Sequence, residues 1–435
     1  MQRWLAGILI AGLTMGLAVA QEFEDADTAV PVHDTAPVDS MLDDTGDTAV
    51  IEDTMLPEDT AEPLDSEDTP EDTAELDPCE GLGLFVGDLV FSTQRALDAF
   101  GNDYDRVNGD LRVVGGEIQD LSPLDCLAEV EGDFTLSAQG EVAPLERLTR
   151  VGGALRVIQT PMAELDLPAL VTAQSLEVEA NPGLTSIAAP LLSTRAVVLS
   201  QMPKLTRLEL PLQALPDGLV MTKTGLSKPP EALVAGRIVL EDNPRLRDLS
   251  PLAAVGATDE FVVSQNPALT SIDLPNLAVV RGEMFIRDNG LTDLSGLASL
   301  AVAGNVSVLD HSAMTRVGLP ALVVTGELRV ERNAVLATLD LPELTRVVRL
   351  LVKECPALVA FGLPNWLRGS LDLRGLRSLT SLEGLVLLSV DEVVLKGNSA
   401  LKDVSALESA RVGRVEAEGN KKLKPAQLER LTASD

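Results

Sequence analysis

LRVERNAVLATLDLPELTRV, running from Leu328 to Val347, is the stretch whose reading decides the fold. It opens on an apolar-x-apolar pair, Leu328 and Val330, the mark of a strand with one buried face. Asn333 follows five residues after Leu328, and then come Leu336, Leu339, Leu341, Leu344 and Val347. The pattern recurs through most of the chain. Apolar-x-apolar pairs begin at Leu111, Phe134, Leu155, Leu176, Val197, Leu219, Ile238, Phe261, Met284, Val306, Leu328, Leu350, Leu371, Val393 and Val415. These are 15 rungs at spacings of 19 to 23 residues. A repeat of that period predicts a mainly β solenoid, in which each rung buries its apolar face only by stacking on its neighbours.

The rungs share internal chemistry. Asn181, Asn243, Asn266, Asn289, Asn333, Asn398 and Asn420 each sit five residues after the first strand position. A stacked Asn at a strand-to-turn corner tolerates the bend and can hydrogen-bond the main chain of adjacent rungs. A second apolar position follows ten or eleven residues after the first, as at Leu165, Ile187, Leu208, Leu249, Ile272, Leu294, Leu339, Leu382 and Val404. It predicts a short strand or 3₁₀ segment on the opposite wall.

Rungs such as EFVVSQNPALTSIDLPNLAVVRGEMFI and GELRVERNAVLATLDLPELTRVVRLLV resemble the receptor L-domain branch of leucine-rich repeats. The stretch LVFSTQRALDAFGNDYDRVNGDLRVVG is similar to the start of such a domain. The resemblance implies a right-handed, flattened parallel β-helix of about 15 leucine-rich, L-domain-type repeats with short capping helices. Two features depart from the family. The cysteine-rich modules that accompany receptor L domains are absent from the sequence, and the region from Leu210 to Gly236 is off-pattern, next to the 19-residue spacing. One continuous array is the preferred reading over two joined blocks.

The sequence divides around this array. Residues 1–20, MQRWLAGILIAGLTMGLAVA, read as a signal peptide with a small-x-small site at Ala18-Val19-Ala20. Residues 21–78 hold 21 Asp or Glu, no Lys or Arg and eight Asp-Thr dipeptides, which predicts a disordered acidic stalk. Loose calcium binding by this stalk is the weaker alternative, since the ligand spacing of a calcium loop is missing. Residues 79–110 form an N-terminal cap, with a helix expected over 92–100, Ser92 as its N-cap and Ala96, Leu97 and Phe100 on its apolar face. The solenoid proper spans 111–420 and a C-terminal cap spans 421–435, where Pro425 opens a short helix carrying Leu428 and Leu431. Net charge is −33, which disfavours nucleic acid and anionic membrane surfaces as partners. Beyond the leader, no apolar run reaches the length of a spanning helix.

Candidate chemistry is sparse. Cys79 and Cys126 are expected to form a disulfide pinning the cap in an exported protein, and Cys355 to replace Asn at a corner. His33 lies in the stalk and His311 at a corner position. No catalytic residue, metal site or cofactor is assigned. The strand residue between the two core positions points outward, and five successive rungs place Val198, Val220, Val239, Val262 and Phe285 there. With rungs ~4.8 Å apart this is an apolar ridge roughly 20 Å long, a partner-binding signature. A basic group on later rungs (Arg329, Arg349, Lys353, Arg374, Lys396) is read as a mixed face because Glu331, Asp372 and Glu392 lie among it. These readings lead to a secreted or cell-surface, monomeric, non-enzymatic recognition or adhesion protein. Its ridge is expected to bind a protein or glycan. The alternatives are a β-helix-type carbohydrate-active enzyme, which requires acids grouped over adjacent rungs, and a passive envelope component.

Overall fold

The computed structural model describes residues 77–427 apart from 102 and 141–144, and the backbone alone at 364–368. The expected leader, the stalk up to residue 76, His33 and residues 428–435 of the C-terminal cap lie outside the described residues.

The chain winds as a parallel β-solenoid. The first core residue of each expected rung pairs with that of the next, from Leu111↔Phe134 through Leu328↔Leu350 to Val393↔Val415. From Leu111 to Val393 these residues are fully buried. The off-pattern region does not interrupt this pairing, since Leu219 is bonded to Val197 on one side and Ile238 on the other. Its rung is shorter because no opposite-wall strand lies between Thr224 and Ala232.

Two further walls close each turn. The opposite wall holds strands Glu164–Asp166, Ser186–Ala188 and Arg207–Glu209, and later Arg316–Gly318 and Thr338–Asp340. Other rungs carry 3₁₀ turns there, at Ser122–Leu124, Ser250–Leu252, Ser295–Leu297 and Ser405–Leu407. A local motif, Asp-(Leu/Val)-Ser-x-Leu, selects the turn. Asp120, Asp248, Asp293 and Asp403 each accept the backbone N–H of the Ser two residues on, at 2.8–2.9 Å. Those N–H groups then favour a tight turn over a strand. The return wall runs through Tyr104–Asn108, Glu129–Val130 and Arg150–Val151. In later rungs it fuses with the main strand through a bulge, as in Val279–Arg287.

The corner after the main strand is the most regular feature. Thirteen successive rungs place a left-handed residue there, from Gln159, Ala180 and Gln201 to Gly375, Gly397 and Gly419. Ten of the thirteen are not glycine, so each of those corners holds a conformation that is unfavourable for an L-residue. The expected asparagines come next and bridge to the rung before. Asn266 Oδ1 accepts the N–H of Asn243 at 3.0 Å, and its Nδ2 donates to the carbonyls of Leu240 and Ser264, both at 2.9 Å. Asn181, Asn243, Asn289, Asn333, Asn398 and Asn420 repeat the two-point bridge. Cys355 stands in for Asn as expected. Its buried thiol points at the carbonyls of Val330 and Lys353, and burial raises it to about 11.

The N-terminal end differs from the expectation in three ways. An additional rung precedes Leu111, with Leu89–Phe91 paired to Leu111–Val113, so the main sheet has sixteen strands and is about 70 Å long at the usual strand spacing. The helix runs Gln94–Gly101, buries Leu97 and Phe100 and leaves Ala96 exposed. It takes the place of the opposite wall in this extra rung rather than lying across the sheet edge. A disulfide joins Cys79 to Cys126. A second side-chain ladder runs here. Asp88, Asp110 and Asp133 accept the N–H of Asp110, Asp133 and Ala154, each at 2.9 Å. The Gly before each donating residue leaves room for the carboxylate of the preceding rung: a Cβ on Gly132 would lie 2.4 Å from the Asp110 carboxylate.

Replacing Asn266 by Ala leaves the Asn243 N–H and the Leu240 carbonyl buried without their partner. The expected destabilisation is about 2–4 kcal/mol, read by denaturant unfolding. Asn420→Ala, at the partly exposed last corner, is expected to lose clearly less. Equal losses would contradict the ladder's role.

Candidate functional site

The outer face of the main sheet is ruled into three columns by the pleat: the residue before the first core position, the residue between the two core positions, and the residue after the second. The ridge is the middle column. Val198 pairs with Val220, Val220 with Val239, Val239 with Val262 and Val262 with Phe285, in unshifted register. Val198, Val220, Val262 and Phe285 are half-buried, while Val239 is only 8% exposed. The ridge is thus close-packed rather than free-standing, because β-branched side chains on adjacent strands lie flank to flank.

A polar column flanks its last three rungs, while Ala196 and Gly218 hold that position beside Val198 and Val220. On one side stand Arg237, Glu260, Glu283, Asn305, Glu327 and Arg349 in register. Arg237 and Glu260 pair at 2.6 Å, and Arg349 and Glu327 at 3.4 Å. Glu283 has no ion pair among the described residues. Desolvation, then the carboxylates of Glu260 and Glu327, raise its carboxyl, with Arg329 acting the other way. Glu260, Glu283 and Glu327 lie outside the contact assigned from sequence, whose residues all come from the middle column. Their signal was present, an acid one residue before the first core position on three of four successive rungs.

Beyond the ridge the face becomes a charge network. The five basic residues noted in the sequence are all paired: Arg329 with Glu331 at 2.9 Å, Arg349 with Glu327, Lys353 with Glu331 and Asp372, Arg374 with Asp372 at 2.6 Å, and Lys396 with Glu416 at 2.5 Å. The Glu331 side chain is only 5% exposed. Burial opposes its charge, but Arg329, Lys353 and Arg332 together hold its carboxyl below the ordinary range. At the other end of the ridge, Arg156 joins Asp133 and Glu177 at 2.5 and 2.8 Å. The ridge is therefore bounded by paired charges along the sheet, and the buried Nε of Arg329 has no hydrogen-bond partner among the described residues.

His311 occupies its corner fully buried, with neither ring nitrogen bonded. Its backbone N–H donates to Asn333 Oδ1 at 2.9 Å. Burial lowers the imidazole to about 4, and Asn333, Asp288 and Asp310 act only partly against this. Sealed in the core, this ring is out of reach of any molecule on the surface. A cavity of about 310 Å³ lies on the opposite wall, lined by Asp293, Thr315, Arg316 and Asp340. Arg316 and Asp340 form an ion pair there. Among the described residues no cluster of His, Cys, Asp or Glu is placed to hold a metal, and no helix is long and apolar enough to cross a membrane. No protein-family model matches the chain, and no curated protein matches it.

His311 gives a pH dependence with a definite sign. Its ordinary value is 6.5 and its folded value about 4. The fold therefore favours the neutral ring, and its contribution is intact above pH 6.5 and lost as pH falls from 6.5 towards 4. The loss amounts to about 2–3 kcal/mol by pH 4. Carboxylates held below their ordinary value act at lower pH. Asn at this corner would restore the ladder, so His311→Asn is expected to raise stability and flatten the unfolding free energy between pH 4 and 6.5. An unchanged slope would contradict this reading of the corner.

Proposed function

We propose that this chain is an extracellular or cell-surface recognition or adhesion protein that binds a protein or glycan partner through the outer face of its main sheet. The observation that carries this reading is the in-register ridge of Val198, Val220, Val239, Val262 and Phe285, flanked on its last three rungs by a polar column. An apolar centre beside polar residues such as the paired Arg237 and Glu260 suits an interface. A rigid parallel sheet with one side chain per rung in each column presents many weak contacts to an extended partner. The leader-like 1–20 segment and the resemblance to receptor L domains support the location and the type of role.

A second reading rests on Glu283. An unpaired, raised carboxyl next to Glu260 and Glu327 is the chemistry of an acid that protonates a glycosidic oxygen. The three acids lie on an open sheet face rather than in a cleft, which favours binding over hydrolysis.

Val262→Glu tests the first reading better than a change at the buried Val239. The full chain is passed over immobilised envelope glycans and envelope proteins. Val262→Glu is expected to weaken capture at least ~10-fold, about 1.4 kcal/mol, with thermal unfolding little changed. Undiminished capture would contradict the ridge as the contact. Release of reducing sugar by the parent chain, abolished in Glu283→Gln, would support the enzyme.

A further inference from the structure

The two ends of the solenoid depart from its middle in the same way. Among the described residues, Leu89–Phe91 at one end and Arg411–Glu418 at the other pair with a neighbour on one side only. Core positions that are fully buried on the inner rungs are part-exposed there: Leu89 at the N-terminal end, Val415 and Ala417 at the C-terminal end. Phe85, Tyr104 and Val412 beside them are also incompletely covered. The two most exposed large apolar residues of the described chain, Val86 at 75% and Val90 at 61%, lie on the N-terminal edge. Unpaired strands with uncovered apolar groups are surfaces onto which another strand adds.

Charge indicates which strand. Residues 77–110 carry Asp77, Glu80, Asp88, Asp98, Asp103, Asp105 and Asp110 against Arg95 and Arg106, a net of 2 − 7 = −5. Residues 411–427 carry Arg411, Arg414, Lys421, Lys422 and Lys424 against Glu416 and Glu418, a net of 5 − 2 = +3.

We propose that the N-terminal edge docks the C-terminal edge of a second copy of this chain, head to tail. The repeat supplies the register. Continuing the main sheet across the junction sets Val415 of one copy beside Leu89 of the next and Ala417 beside Phe91. In the column before the first core position, Arg414 then meets Asp88. Arg414 already reaches across one rung to Glu392 at 3.5 Å, and its side chain is 72% exposed. The rung spacing of ~4.8 Å brings an Asp carboxylate at the next rung within the same reach. The contact adds strand-to-strand hydrogen bonds, buries the part-exposed ends of the core and pairs opposite charges. Because the two docking surfaces differ, the contact does not close on itself, and copies add in a row.

Sedimentation velocity of the full chain over a concentration series tests this. The parent chain is expected to form a ladder of species extending beyond the dimer, weakened by salt. Arg414→Asp is expected to lower association at least tenfold, and Asp88→Arg combined with Arg414→Asp to restore it, because each junction then carries the reversed pair. Thermal unfolding of each variant shows that the fold is retained. A monomer at all concentrations overturns the proposal, whatever covers the ends. A closed dimer does so too, as does association that the charge reversal leaves unchanged.

Discussion

The structure depends on one corner. At the end of thirteen successive main strands the chain takes a left-handed residue, and where Asn follows, at seven of them, its side chain bonds back to the rung before. A left-handed Ala180, Asp242 or Arg332 is unfavourable alone. The corner persists because the amide that follows satisfies a backbone N–H and a carbonyl that the turn leaves behind. Each Asn rung thus fixes the position of its predecessor. His311 shows the rule by departing from it. A ring that fits the space but bonds nothing through its nitrogens leaves a titratable weak point in an otherwise satisfied column.

Register at the corner creates the surfaces. Once the rungs stack without slip, every outward position becomes a column, and the column's composition sets its character. Five β-branched or aromatic residues in succession make the ridge. Glu260, Glu283 and Glu327 make an acidic column beside it, and the alternating Arg, Glu, Lys and Asp of later rungs make the network around the buried Glu331. A linear array also has two ends, and among the described residues neither end is covered as the inner rungs are. The side face and the ends therefore offer different kinds of contact.

Much of this was legible in the sequence because a solenoid writes its period directly into the chain. The main-sheet rungs, the seven corner asparagines and the role of Cys355 follow from position within the repeat, and the pairing of Cys79 with Cys126 from their places before the cap and after the first rung of a chain read as exported. The extra rung at Leu89 was legible as well, since Gly87-Asp88-Leu89 repeats Gly109-Asp110-Leu111, but a three-residue strand beside a helix reads first as part of a cap. The left-handed corners were not legible. They are filled by Gln, Ala, Lys, Asp, Arg and Glu as well as Gly, so no glycine signature marks them. The depth of Val239 was hidden for another reason. Alternation gives the direction of a side chain, but exposure depends on how tightly neighbouring rungs press their flanks together.

Amide hydrogen exchange tests the corner most directly. The backbone N–H groups of Thr160, Asn243, Asn266, His311, Leu376 and Asn398 are each held by the Asn side chain of the following rung. If the corner governs the fold, these amides exchange only with global unfolding, as slowly as the main-strand amides beside them. Exchange at the rate of exposed turns would show that strand pairing alone holds the rungs and that the corner ladder follows the fold rather than setting it.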